Sequence, residues 1–146
     1  MKADAFVKSL DDERIVAAIQ AAESRSRGEI RVHVAEREVA DSRADAEAVF
    51  ERLDMSATAE RNGVLLYVAP ESRTIVVIGD RGIHDCCGEA FWAAVVEQAR
   101  EEFSAGRFTE GIVAAVKTVG DELARHFPRR AGETDPDELP DAVSRG

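Results

Sequence analysis

Two short apolar runs separated by only four residues constrain the fold of this chain more than any other feature. The runs span residues 64–69 and 75–78, and the link between them is Pro70-Glu71-Ser72-Arg73. Short continuous apolar segments are typical of strands that are covered on both faces. A parallel crossover needs a dozen or more residues, so this link predicts an antiparallel hairpin.

The chain before the hairpin begins with a predicted helix and a predicted strand. Ser9 and Asp12 form a capping-box pattern at the start of the helix, and Gly28 follows its last turn. Residues 29–36 then alternate polar and apolar side chains, which is typical of a strand. Because one face of this strand is polar, we expect an edge or half-covered strand in which His33 is a half-exposed surface residue.

Further helices surround the two apolar strands in the sequence. Asp41 or Ser42 caps a helix before them, and a strand, a helix and a strand in this order predict a right-handed parallel crossover. After them, Asp85 or Gly88 begins a long helix, and Thr109 caps the last one. The order α-β-α-β-β-α-α predicts an α/β fold with a small mixed sheet.

The length and the charge of the chain limit its organisation and its partners. The 146 residues fit one domain, for which we predict residues 9–128, with an N-terminal extension at 1–8 and a disordered acidic tail at 129–146. A net charge of −10 disfavours nucleic acids and anionic membrane surfaces, and it is compatible with divalent cations. The sequence does not indicate an oligomeric state.

Other segments bear on localisation and on covalent chemistry. The N-terminus lacks the apolar stretch of a secretory signal, and no run is long enough for a membrane span, so we expect a cytoplasmic protein. Cys86 and Cys87 are adjacent, which disfavours a disulfide between them. A reactive thiolate at a helix start is one interpretation of this pair, and small buried residues are the simpler one.

One end of the predicted sheet gathers side chains that suit a cation. The predicted topology brings Glu29, Arg61, Asn62, Asp80 and Asp85 to this end. Hard cations such as Ca²⁺ take carboxylate, amide and carbonyl oxygens, and glycines next to Asp80 allow close approach of the backbone. The same residues are also compatible with a plain turn at the end of a strand.

Four segments of the chain together resemble the TPM domain family, which groups bacterial proteins with a plant thylakoid-lumen protein linked to photosystem II repair. The resemblance covers roughly residues 9–128 and includes a terminal His126-Phe127-Pro128 signature. The segments are AAIQAAESRSRGEIRVHV at 17–34, RNGVLLYVAPE at 61–71, GDRGIHDCCGEAFW at 79–92 and FSAGRFTEGIVAAVKTVGDELARHFP at 103–128.

The resemblance implies a three-layer α/β/α sandwich and adds two expectations about function. Some members of the family bind Ca²⁺ or other divalent ions, and the plant relative has been assigned an acid phosphatase activity. Secreted relatives carry Asp-Asn-Gly where this chain has Arg61-Asn62-Gly63, and a Gly-Tyr-Gly loop where it has Asp80-Arg81-Gly82. A later Asp of these relatives falls near Glu89, so one carboxylate is lost at Arg61 and one is gained at Asp80.

We therefore expect a divalent cation, Ca²⁺ or Mg²⁺, as the cofactor of this domain. The expected metal ligands are Asp80, Glu89, Asn62 and Asp85. An acid phosphatase that acts on phosphomonoesters, with Arg61 or Arg81 as the phosphate clamp, is the first alternative. A non-catalytic module that binds a protein partner is the second.

Overall fold

In the computed structural model, which describes residues 2–129 and 142–146, four strands form a mixed sheet in the order β3-β2-β1-β4. The strands are β1 (Glu29–Val34), β2 (Gly63–Ala69), β3 (Thr74–Gly79) and β4 (Ser144–Arg145). β1 pairs with β2 in parallel, and β2 pairs with β3 in antiparallel orientation. The predicted parallel pairing of β1 with β2 and the predicted hairpin are therefore confirmed, and a 3₁₀ turn at Pro70–Ser72 closes the hairpin.

Five helices within the described residues cover the two faces of this sheet. They are α1 (Ala3–Ser9), α2 (Asp12–Ser24), α3 (Ser42–Arg52), α4 (Arg81–Ser104) and α5 (Phe108–His126). Apolar residues of α1, α2, α4 and α5 form one core with one face of the sheet, and α3 forms a second core with the other face. This arrangement confirms the predicted α/β fold and gives it three layers.

The strands divide their side chains between the two cores because successive residues of a strand point to opposite faces. In β2, Val64, Leu66 and Val68 belong to the first core. Leu65 and Tyr67 belong to the second. Full burial of an aliphatic side chain contributes about 1.5–3 kcal/mol, so a strand that is buried on both faces stabilises both layers.

The prediction of a half-covered β1 is wrong. All six residues of β1 are buried, and the strand has neighbours on both sides, β2 and β4. His33, predicted to be half exposed, is among the largest fully buried side chains. The covering segment is the C-terminal one, since the Oγ of Ser144 lies 3.0 Å from Nδ1 of His33.

Two helix starts before the hairpin are set by aspartates. α2 begins at Asp12, and the side chain of Asp11 caps it by accepting a hydrogen bond from the backbone N–H of Arg14, so the predicted start at Ser9 is wrong. α3 begins after Asp41, whose side chain accepts from the N–H of Ala44, which confirms one of the two predicted caps.

The starts of the last two helices also differ from the predictions. α4 begins at Arg81 with Asp80 as its N-cap, several residues before the predicted Asp85 or Gly88. α5 begins at Phe108, one residue before the predicted cap. Thr109 instead accepts a hydrogen bond from the backbone N–H of Asp11, which ties α5 to the start of α2.

Both predicted terminal segments contain regular structure. The extension predicted at 1–8 holds most of α1, and the ring of Phe6 is buried in the first core. Part of the segment predicted as a disordered tail forms β4, and residues 130–141 of it lie outside the described residues. No helix in the described ranges is long and apolar enough to cross a membrane.

Candidate functional site

The start of β2 and the end of β3 meet at one end of the sheet, as the hairpin predicts. The backbone N–H of Asp80 donates a hydrogen bond to the carbonyl oxygen of Gly63 at 2.9 Å. The segment before β2 and the segment after β3 therefore lie against each other. We call residues 60–62 and 79–82 together the loop cluster.

Gly82 allows the two segments of the loop cluster to approach closely. A Cβ atom at this position would lie 2.2 Å from the carbonyl oxygen of Glu60 and 2.5 Å from that of Arg61. The N–H of Gly82 donates to the carbonyl of Arg61 at 2.8 Å. Two backbone oxygens thus lie against the first turn of α4, and no larger residue fits there without displacing the backbone.

Asp80 and Arg61 form a two-point ion pair at the centre of the loop cluster. The Nε of Arg61 lies 2.6 Å from Oδ2 of Asp80, and NH2 lies 2.9 Å from Oδ1. The carboxylate also accepts from the N–H of Arg81 as the cap of α4. Asp80 is 7% exposed and Arg61 is 36% exposed. The hydrogen bond to Asp80 raises the pKa of the Arg61 guanidinium. Arg61 therefore provides the positive charge next to Asp80 that a bound cation would provide.

Asn62 contributes an amide oxygen at the same end of the sheet. The side chain is 1% exposed, and its Nδ2 donates to the carbonyl of Arg27 at 3.1 Å. Its Oδ1 is buried and has no hydrogen-bond partner within the described part of the chain. A buried amide oxygen without a partner is costly, and a cation or a water molecule would satisfy it.

The two remaining predicted ligands are exposed side chains of α4. Asp85 is exposed on α4, and the side chain of Glu89 is 86% exposed and lies 3.6 Å from Nε2 of His84. Among residues 2–129 and 142–146, no three His, Cys, Asp or Glu side chains are grouped closely enough to hold a metal ion. The structure thus brings Asp80 and Asn62 to one end of the sheet and leaves Asp85 and Glu89 in solvent.

A second two-point ion pair, not predicted from the sequence, connects the loop cluster to Arg27. The Nε and NH2 of Arg27 lie 2.9 and 3.0 Å from the carboxylate oxygens of Glu60. NH1 of Arg27 donates a hydrogen bond to the carbonyl oxygen of Pro128, and the backbone N–H of Arg27 donates to the carbonyl oxygen of Phe127. The last two residues of the His126-Phe127-Pro128 signature therefore bind to this end of the sheet. In the sequence, the opposite charges of Arg27 and Glu60 were the feature that could have indicated this pair.

Two side chains in the first half of α4, His84 and Cys87, bear on the predicted nucleophile. Nε1 of Trp92 donates to Nδ1 of His84 at 2.9 Å, so the neutral imidazole carries its proton on Nε2. Burial raises the pKa of the Cys87 thiol to about 11, with the negative charge of Glu122 adding to the effect. Cys87 is therefore a neutral thiol at neutral pH, which disfavours the thiolate interpretation for this residue.

Comparison with known families gives the identity of the fold. The family model of the TPM domain matches residues 2–122 of the chain. The chain belongs to the TPM domain family. This TPM domain is similar to the BA42 protein from the psychrophilic bacterium Bizionia argentinensis, with 39% sequence identity and a TM-score of 0.84. The similarity covers 94% of this chain and 96% of BA42.

A second solved structure shares the fold of this TPM domain at lower identity. It is the N-terminal domain of the cg2496 protein from Corynebacterium glutamicum, with 18% identity and a TM-score of 0.60. The similarity covers 84% of this chain and 77% of that domain. A comparison with curated protein sequences finds no significant match.

Proposed function

We propose that this TPM domain binds a divalent cation, Ca²⁺ or Mg²⁺, at the loop cluster in competition with the Arg61 guanidinium. The observation that carries the proposal is the two-point pairing of Arg61 with a carboxylate that is only 7% exposed. A buried carboxylate needs a compensating positive charge. A cation that displaces Arg61 from Asp80 supplies the same compensation.

The oxygens at this end of the sheet suit such an ion. The carboxylate of Asp80 and the unpartnered Oδ1 of Asn62 are the side-chain ligands, and the carbonyl oxygens of Glu60 and Arg61, which face Gly82, belong to the same loop cluster. Ca²⁺ takes six to eight oxygens in a flexible arrangement, and water supplies those that the protein lacks. Asp85 and Glu89 are the further predicted ligands, but both are exposed on α4, so the proposal stands on Asp80 and Asn62.

The first test removes the competing guanidinium and keeps the carboxylate. In Arg61→Gln the cation no longer competes with a fixed positive charge, so we expect Ca²⁺ to raise the melting temperature more than in the unmodified protein. Ligand that binds only the folded state adds RT ln(1 + [L]/Kd) to the free energy of unfolding. The measurement is thermal unfolding over a titration to millimolar Ca²⁺, and the same with Mg²⁺.

Two further variants make this test specific. Asp80→Asn keeps a good N-cap residue for α4 and removes the charged ligand, so the Ca²⁺ effect should disappear. Arg107→Gln breaks another two-point ion pair, the more exposed one with Glu102, and should respond like the unmodified protein. The proposal is wrong if millimolar Ca²⁺ and Mg²⁺ leave the melting temperatures of both the unmodified protein and Arg61→Gln unchanged.

The acid phosphatase alternative lacks a comparable observation. Stabilisation of a phosphoryl group requires a metal or a free guanidinium next to a nucleophile or an activated water. Arg61 already gives its Nε and NH2 to Asp80, whereas Arg81, the other predicted clamp, is exposed at the first position of α4. The pairing of Arg61 therefore favours binding over catalysis for that residue.

A further inference from the structure

A cleft of about 430 Å³ lies at the end of the sheet opposite the loop cluster. The end of β2, the hairpin turn, the end of α4 and the starts of β3 and α5 line it. We call it the arginine cleft, because Arg73 and Arg100 are two of its lining residues. Its volume is in the usual range of small-molecule sites, about 300–1,000 Å³.

The floor of the arginine cleft is aromatic. Phe6, Phe103 and Phe108 form a three-ring cluster with centroid separations of 5.8, 4.8 and 5.7 Å. Val68 and Ile75 extend the apolar surface from the hairpin. This surface suits an apolar body, and aromatic rings add edge-to-face contacts that aliphatic side chains do not provide.

The two arginines give the cleft a positive rim. Both side chains are exposed, and neither forms a hydrogen bond or an ion pair within the described part of the chain. Many other arginines of this acidic chain are paired with carboxylates, as Arg61 and Arg107 are. Two unpaired guanidinium groups at one cleft therefore attract an anion locally, in a chain whose net charge is −10.

The backbone of Arg73 adds to this interpretation. Its φ of 53° places Arg73 in the left-handed region, a conformation that glycine and asparagine adopt at lower cost. The turn after Pro70–Ser72 does not require an arginine side chain for its own geometry. The side chain of Arg73 is thus available to a ligand.

We propose that the arginine cleft binds a small carboxylate whose body is aromatic or branched aliphatic. The apolar body packs on the phenylalanine rings, and the guanidinium groups of Arg73 and Arg100 hold the carboxylate with charge-assisted hydrogen bonds. A monoanionic head suits a chain of net charge −10 better than a dianionic phosphate. The carboxyl end of a parallel strand, here β2, is also a common place for ligands in α/β sheets.

This site is independent of the proposed cation site. β2 runs from Gly63 in contact with the loop cluster to Ala69 in the arginine cleft, and seven strand residues span about 20 Å. A negative result at either end therefore leaves the other proposal standing.

The experiment compares three probes by nitrogen-15 chemical-shift titration of the 146-residue chain. The probes are 4-phenylbutyrate, its neutral isostere 4-phenylbutanamide, and acetate. We expect 4-phenylbutyrate to shift amides in residues 68–75 and 100–108 and to saturate in the millimolar range or below. The amide lacks the charge and acetate lacks the apolar body, so both should bind more weakly. Absence of saturable shifts with 4-phenylbutyrate, or equal binding of the amide, overturns the proposal.

Charge-removing variants locate the carboxylate. Arg73→Asn keeps a residue that tolerates the left-handed turn, and Arg100→Gln keeps an exposed helical residue, so both should fold. Each should weaken 4-phenylbutyrate binding by about three- to tenfold, as expected for loss of a partly exposed charge-assisted contact. Arg43→Gln on α3 is the matched control and should bind as the unmodified protein does. Unchanged affinity in both cleft variants contradicts the proposed role of the arginines.

Discussion

The imidazole of His33 is enclosed between β1, β4 and the second core. It is 1% exposed, stacks on the ring of Tyr67 with centroids 5.7 Å apart, and lies 3.0 Å from the hydroxyl of Ser144. Burial lowers its pKa to about 4, the positive charge of Arg52 adds to this effect, and the carboxylate of Asp45 opposes it. His33 is therefore neutral in the folded protein at physiological pH.

This lowered pKa makes the stability of the domain depend on acidity. The unfolded chain takes up the proton near pH 6.5, and the folded protein does so only near pH 4. The free energy of unfolding should therefore fall by about 3 kcal/mol as pH decreases through that interval, with no further loss from this group below it. Urea unfolding at a series of pH values measures the effect.

A pair of variants identifies His33 as the source of the pH dependence. His33→Gln removes the imidazole, whose pKa differs between the folded and unfolded states. The fall of about 3 kcal/mol in the free energy of unfolding that His33 contributes between pH 6.5 and pH 4 should therefore disappear. His126→Gln, in the last turn of α5, is the control and should retain the contribution of His33. An unchanged slope in His33→Gln would assign the dependence to other groups.

Among the elements, α4 consists of two helical segments joined at a glycine. Gly88 has φ 77° and ψ 173°, a combination that essentially only glycine adopts. No atom would lie within 4 Å of a Cβ there, so the requirement comes from the backbone alone. The short first segment carries the Asp80 cap at the loop cluster, and the second carries Trp92 and Phe103 into the first core.

We expect Gly88→Ala to destabilise the domain by about 1–3 kcal/mol, because alanine is strained in this conformation. Ala94→Gly, the reverse change within the regular part of α4, should also destabilise, by about 1 kcal/mol. A preference for glycine at position 88 and for alanine at position 94 of the same helix distinguishes a required kink from ordinary helix propensity. Thermal unfolding of the two variants measures both effects, and a Gly88→Ala variant as stable as the parent would show that the kink is not required.

The sequence indicates elements whose own residues carry the signal. The apolar runs of β2 and β3 and the four-residue link predict the hairpin, and the hairpin brings Asn62 and Asp80 to one end. The first segment of α4 was missed because a short segment with Gly82 and Gly88 resembles a turn. The Arg61–Asp80 pairing was missed because it depends on side-chain geometry between two loops.

For the whole molecule, the C-terminal residues complete the sheet. β4 pairs with β1 in parallel, and the backbone of Gly146 exchanges hydrogen bonds with Val34 and Glu36. An ion pair links Arg145 to Asp12 at the start of α2. Two residues have too little periodicity to be predicted as a strand, and their partner is more than 100 residues away in sequence, so neither β4 nor the burial of His33 was predictable locally.

Deletion of residues 142–146 tests whether the pairing of β4 with β1 contributes to the stability of the domain. We expect a loss of about 1–3 kcal/mol, because the backbone hydrogen bonds of β4 are lost and the buried face of β1 becomes exposed. Arg145→Ala separates the ion pair, which is partly exposed and should contribute less than about 1 kcal/mol. Urea unfolding measures both variants.

In the deletion variant, solvent access should also move the pKa of His33 toward its ordinary value of 6.5 and weaken the pH dependence of stability. If the deletion changes neither the stability nor the pKa of His33, β4 does not cover β1 in solution.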